Sequence, residues 1–324
     1  MTMSVEAQTS RVPDFFVVGH PKCGTTALYE MLRQHPQIYM PDLKEPRYLA
    51  SDMRQRFQPP RSGALPATLE QYLALFADAR PDQRVGEASP SYLASHTAAG
   101  LIAELQPDAK VVAILREPAA FLRSLHLQLL RSHVESEKDL RRALALERER
   151  REGKSIPRRS HRPGALQYSD HVRYVEQLRR FHAVLAPEQI LVLIYDDFRA
   201  QNEATLRRVL GFLEVDQTAP IEMLEVNPMV VVRSQQLEEM VHSVALGRGV
   251  VARAVNASVK KLAPQRLRRC ALRAMRTGVL TAKPRQPDER LMSELRSRFK
   301  GEVVALSEYL DRDLVSLWGY DRVS

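Results

Sequence analysis

Lys22 lies inside a tight turn, GHPKCGTT (19–26), between two glycines spaced as in a phosphate-binding loop. Where that loop holds nucleoside triphosphates, a lysine and then a hydroxyl residue follow the second glycine directly. Here Thr25 occupies the lysine slot, and the lysine has moved to position 22. A lysine that early in the loop would sit beside a shorter anion, one 5′-phosphate and whatever is bonded to it, instead of the β- and γ-phosphates. Gly24 would let the backbone approach the anion, and Thr25 and Thr26 would add hydroxyls at the start of a helix. A plain turn with Thr25 and Thr26 as helix caps gives no reason for the Pro21–Lys22 pair. Three further residues end or follow other apolar runs: Glu87, Arg116 and Tyr195. Arg116 stands where a magnesium-binding carboxylate would be expected, and a cation there suits another phosphate.

The surrounding pattern supplies the elements that must hold these residues. FFVVG (15–19), RVGEA (84–88), KVVAILRE (110–117) and QILVLIYDDF (189–198) read as strands, the last running through Tyr195. Helices are expected from about Gly24 to Gln34, over 67–79, after Ser89-Pro90, from Pro118 onward, over 168–185 and over 202–213. HPQIYMPDLKEP (35–46) and KSIPRRSHRPGALQ (154–167) read as loops, and the charged stretch 136–153 as one helix with a solvated face. Strands alternating with helices predict an α/β fold: a P-loop-like, three-layer arrangement with a central parallel sheet flanked by helices. Ligands of such sheets bind at the carboxyl ends of the strands, where Gly19, Glu87, Arg116 and Tyr195 converge.

The chain has 324 residues and 44 % hydrophobic content, enough for one large α/β domain. We divide it into a tail (1–13) and one domain (14–324). The polar stretch Met1–Ser10 lacks the apolar centre of a signal peptide. With only Cys23 and Cys270, no disulfide framework is expected, and a cytoplasmic location is the expectation. The formal charge is +9, and residues 245–285 carry eleven Lys or Arg without one Asp or Glu. That segment reads as a basic helical insertion or lid, either a solvated face or a contact for an acidic ligand, a membrane surface or nucleic acid. It contains no aromatic residue, which weakens a stacking-based nucleic-acid role.

The segments PKCGTTALYEML, KEPRYL, GEASPSYL and ILREPAAFLRSL together resemble the family of sulfotransferases that use 3′-phosphoadenosine-5′-phosphosulfate (PAPS), in its bacterial and glycan-type branch, which includes heparan sulfate sulfotransferases. LRSRFKGEVVALSEYLDRDLVSLWGY is similar to that family's closing helix. The resemblance implies that Lys22, Cys23, Gly24, Thr25, Thr26 and Ala27 form the 5′-phosphosulfate loop, with Lys22 at the bond that breaks. It implies a 3′-phosphate site at Arg116 and Ser124, eight residues apart, or about two helical turns. It makes Glu87 the base on the acceptor hydroxyl and Lys44 a cation near the reaction centre. AKPRQPDERL (282–291) resembles the loop over the 3′-phosphate and adenine, with Lys283 and Arg285 as its cations. No metal is implied, because lysine and arginine supply the positive charge.

A base is chemically necessary, because the acceptor must lose its proton as its oxygen attacks sulfur. A histidine is the other candidate; His20, His96 and His126 fall near the motifs. The acceptor the resemblance implies is a hydroxyl or amine of an unidentified glycan, lipid or natural product. Its pocket is expected in the loops 47–66, 136–167 and 225–260. Two rival functions remain: an ATP-dependent P-loop kinase, and a non-enzymatic protein that binds nucleic acid or a membrane surface through residues 245–285.

Overall fold

The computed structural model describes residues 11–54, 65–158, 160, 163–224, 231–232, 281–282 and 287–323. Five strands form one wholly parallel sheet in the order β2-β3-β1-β4-β5. They are β1 (Phe15–Gly19), β2 (Ile38–Tyr39), β3 (Arg84–Ala88), β4 (Lys110–Leu115) and β5 (Ile190–Ile194). The helices are α1 (Thr25–Leu32), α2 (Ser51–Arg54), α3 (Leu69–Leu73), α4 (Ala98–Leu105), α5 (Pro118–Arg131), α6 (Leu140–Ala145), α7 (Glu147–Arg151), α8 (Tyr174–His182), α9 (Tyr195–Ala200), α10 (Asn202–Phe212), α11 (Glu289–Tyr309) and α12 (Leu314–Leu317). A separate two-residue pairing joins Val231–Val232 to Thr281–Ala282, antiparallel.

The central strands are apolar at nearly every position because both faces are covered. Phe15 and Val17 face one layer, with Leu28 of α1, Leu122 of α5 and Leu206 of α10. Phe16 and Val18 face the other, with Ile102 of α4, Leu178 of α8 and Leu306 of α11. This is the three-layer α/β arrangement the alternation of elements predicts. Strand register sets the heights of the site residues: Phe16 lies opposite Glu87, Gly19 opposite Ile114 and Leu115 opposite Ile194.

Local chemistry explains the helix starts. Glu117 caps α5, accepting from the N–H groups of Ala119 and Ala120, and Pro118 occupies the first helical position. Asp139 caps α6 and Asp288 caps α11 in the same way. No helix among the described residues is long and apolar enough to cross a membrane.

Some expectations need correction. The stretch 35–46, expected to be all loop, contains β2, an edge strand too short to leave a periodic signal. Tyr195 is not the continuation of β5 but the first residue of α9. The charged stretch 136–153 is two helices, and it is not simply a solvated face. Glu147 and Arg150 are buried. Arg150 forks onto Glu135 at 2.7 and 2.8 Å, and Glu135 also accepts from the Tyr168 hydroxyl and the N–H groups of Ser136 and Glu137. Charge periodicity marks the polar positions of a helix but does not reveal which of them find a buried partner.

Candidate active site

The turn between β1 and α1 is shaped by backbone conformations that few residues adopt. Gly19 has φ 147°, and a Cβ there would lie 2.6 Å from the Ile114 carbonyl oxygen. Gly24, at φ 86°, is the residue preceding α1, and no side chain caps the helix from that position. The first N–H groups of α1 therefore lack a side-chain cap from that position, and the positive end of the helix dipole there would favour an anion. Lys22 itself has φ 72°. A lysine held in the left-handed region is strained, and such strain concentrates at functional sites.

Around that turn the chain gathers cations. Arg116, at the end of β4, donates through Nη1 to the Lys22 carbonyl oxygen at 2.9 Å and lies 4.4 Å over the ring of Tyr195. Burial, then the charges of Arg131 and Arg116, hold the Lys22 ammonium below its ordinary pKa. Burial and Arg116 do the same to Arg123. Like charges raise one another's energy in this way when the site is built for an anion. Glu117, adjacent in sequence to Arg116, is committed elsewhere: it caps α5 and accepts from the Tyr320 hydroxyl at 2.6 Å. Ser124 is on α5 with 1 % exposure, and its Oγ has no hydrogen-bond partner among the described residues. A buried hydroxyl without a partner is uncommon, and an oxygen-rich ligand would satisfy it. Of the threonines, Thr25 is buried and Thr26 exposed, while Cys23 is fully buried with its thiol pushed up to about 12, chiefly by desolvation. Ala27 is buried under the first turn.

Glu87, at the carboxyl end of β3 beside β1, is 0 % exposed. Its Oε2 accepts from the hydroxyls of Tyr72 and Tyr92, each at 2.8 Å. Its Oε1 has no hydrogen-bond partner among the described residues. Desolvation is the largest influence and pushes the carboxyl up to about 7; the hydroxyls of Ser89, Tyr92 and Tyr72 pull it down, and Glu45 pushes it up. Arg84, at the start of β3, is paired with Glu214 at 2.7 Å. Lys44 donates to Glu45 at 3.0 Å, and Arg47 donates to the other Glu45 oxygen. Burial would raise Glu45, but Lys44 and Arg47 override it and hold the carboxyl at about 2. The same loop is fastened to the end of β3, by Glu45 N–H to Ala88 O and by Arg47 N–H to Ser89 Oγ.

The histidines near the motifs are engaged differently. His20 is buried between the rings of Phe121 and Tyr174, bonds Gln177 at 2.8 Å, and is depressed to about 3, mainly by burial. His126 is bonded to the Tyr168 hydroxyl and the Lys138 carbonyl. His96 is exposed, with its main-chain N–H on Asp52.

The structure thus brings Lys22, the turn residues and Arg116 together, with Ser124 on the helix that follows Arg116 and Glu87 on the strand beside β1. Lys44 borders Glu87 through Glu45. Lys283 and Arg285 lie outside the described residues, as does most of the basic segment 245–285. Sequence reasoning missed Tyr72, Arg123, Arg131 and the phenol of Tyr92. Arg131 carried a usable signal, since it falls seven residues beyond Ser124, on the same face of α5. Tyr72 carried none, because its partner is fifteen residues away in a different element.

Over 167 residues the chain is 28 % identical to Carbohydrate sulfotransferase 15 of Mus musculus, a match covering 38 % of this chain and 28 % of that protein. It is 31 % identical over 114 residues to the Membrane-associated sulfotransferase kil1 of Dictyostelium discoideum, covering 35 % of this chain and 22 % of that one. The chain therefore spans under a third of the length of these curated relatives. Among solved structures, a sulfotransferase from Alicyclobacillus acidocaldarius superposes with a TM-score of 0.67 at 25 % identity, covering 95 % of this chain and 99 % of that one. The profile of the Sulfotransferase family matches residues 13–219. Because that span covers more than half of the chain, from the first strand through α10, the chain belongs to the sulfotransferase family.

Proposed function

We propose that this enzyme transfers the sulfuryl group of PAPS to a hydroxyl, or an amine, of a glycan, lipid or natural-product acceptor. One juxtaposition carries the reading. A cation-ringed phosphate turn and a buried carboxyl raised to about 7 stand at the carboxyl ends of adjacent strands, β1 and β3. The likeness to a carbohydrate sulfotransferase supports a carbohydrate hydroxyl as acceptor.

In this reading the turn 22–27 holds the 5′-phosphate through its N–H groups and threonine hydroxyls, and Arg116 and Ser124 hold the 3′-phosphate. Glu87 takes the acceptor proton as the acceptor oxygen forms its bond to sulfur. The bond from sulfur to the bridging oxygen breaks, and its electron pair stays on the departing phosphate, where Lys22 stabilises the new charge. A base with a pKa near the working pH is well matched to this task. Lys44 lies on the Glu87 side of the site and would balance charge on the sulfuryl oxygens.

The experiment is thermal stabilisation by 3′-phosphoadenosine 5′-phosphate (PAP) against ATP with magnesium, followed by transfer of labelled sulfate from PAPS to a carbohydrate panel. Stabilisation by PAP with labelling of at least one acceptor is expected. Stabilisation by ATP with magnesium alone would replace this reading with a kinase.

A further inference from the structure

We propose that Tyr72 and Tyr92 are positioning residues that lock the Glu87 carboxylate through Oε2, so that Oε1 is the oxygen that takes the acceptor's proton. The inference deepens the reading of Glu87 as base and rests on it. The geometry is asymmetric. Both phenols reach one oxygen, at 2.8 Å each, and the other oxygen of the same fully buried carboxyl has no hydrogen-bond partner among the described residues.

The direction of these bonds follows from the neighbours. Tyr92 Oη accepts the main-chain N–H of Leu49 at 3.1 Å, so its own proton is free to go to Glu87. Tyr72 Oη has Glu87 as its bond and lies in a stack with Tyr48, ring centroids 4.8 Å apart. Burial, followed by the Glu87 charge, raises both phenols well above their ordinary pKa, so both remain donors. A proton arriving on Oε2 would have to displace one of the two phenols. A proton arriving on Oε1 displaces nothing and leaves both bonds in place. The lock therefore selects the oxygen as well as holding the carboxyl plane.

The same arrangement ties the base to the loop after β2. Leu49 N–H, Tyr92 hydroxyl and Glu87 form a relay, and Arg47 N–H bonds Ser89 two residues beyond Glu87. The titratable groups that face Glu87 are Tyr72 from α3, Tyr92 from the turn after β3, and Glu45 from the loop that carries Lys44. The hydroxyls of Ser89, Tyr92 and Tyr72 favour the ionised carboxylate, and Glu45 opposes it.

The test is direct titration of Glu87 in the full chain without an acceptor. The protein is labelled with 13C at the glutamate carboxyl, and the Glu87 resonance is assigned by its loss in Glu87→Gln. The wild-type midpoint is expected at about 7. Tyr72→Phe and Tyr92→Phe, which keep the ring and remove one donor each, should raise it by roughly one pH unit apiece. Tyr72→Phe decides the matter if Tyr92→Phe fails to fold, because Tyr92 also serves Leu49. The acid limb of sulfuryl transfer should move with the midpoint, while PAP affinity stays within about twofold of wild type. Midpoints unmoved by either substitution overturn the lock. Moved midpoints together with wild-type transfer by Glu87→Gln overturn the proposal through the base reading instead, and the titration tells the two failures apart.

Discussion

The guanidinium of Arg116 donates to the main-chain carbonyl of Lys22 at 2.9 Å, joining the end of β4 to the middle of the turn between β1 and α1. One residue therefore supplies charge to the site and holds the backbone of the loop in which the lysine sits. It also lies flat on Tyr195, a contact a lysine would not reproduce. Arg116→Lys should weaken PAP binding about tenfold despite keeping the charge, and Arg116→Ala should weaken it about a hundredfold. Calorimetric titration with PAP measures both.

Lys22 adopts φ 72°, which costs a non-glycine residue on the order of 1 kcal/mol. Its ammonium is also disfavoured by burial and by Arg131 and Arg116. Lys22→Gly relieves both strains. The thermal midpoint should stay level or rise, while sulfuryl transfer falls by about a hundredfold or more. Loss of stability together with loss of turnover would mean that Lys22 acts by supporting the fold.

Glu87→Gln should abolish transfer and leave PAP binding intact. The carboxyl is raised from 4.5 to about 7, so the folded chain holds a proton there that the unfolded chain has lost. Stability therefore falls as pH rises from about 4.5 to about 7, by up to roughly 3 kcal/mol. Glu87→Gln should remove this dependence and be the more stable protein at about pH 8. In the wild type, transfer should rise with pH through about 7 and then level off, as Glu87 ionises. Urea unfolding and a pH–rate profile check the two halves.

His20 gives the opposite slope. Its imidazole is depressed from 6.5 to about 3 by burial, with His171 adding to the effect, so the unfolded chain binds the proton more readily. The stability that neutral His20 contributes is complete above about 6.5 and is lost as pH falls, by about 3 kcal/mol at pH 4. His20→Gln should flatten that part of the acid unfolding curve.

Arg150 and Glu135 form a pair with side chains 1 % and 0 % exposed. Removing one partner leaves a buried charge unmet. Arg150→Ala should therefore cost about 3–5 kcal/mol. Arg151→Ala, which breaks only the exposed contact with Asp170, should cost less than about 1 kcal/mol. Denaturant midpoints compare the two.

Much of the site was legible because its determinants are local. The apolar run FFVVG, the two glycines of the turn and the apolar run before Arg116 define strands, a nest and strand ends within a few residues. Those signals place Lys22, Glu87 and Arg116 at one edge of a parallel sheet. Ser124 came only from the resemblance of its motif to a known family. The two-residue strand β2 was not legible, since its order comes from pairing with β3 and not from its own pattern.

The sequence by itself determined which residues stand at the carboxyl ends of the strands, because alternation of strand and helix dictates that edge. Only the tertiary structure decided what those residues can do. Glu87 becomes a candidate base of raised pKa because folding removes it from water and brings Tyr72, Tyr92 and Glu45 against it from three separate segments. Glu117, next to Arg116 in the chain, does not pair with it, because Tyr320 and the start of α5 claim its carboxylate. Desolvation and partner choice are properties of packed neighbours, and those neighbours lie up to 203 residues apart in the chain.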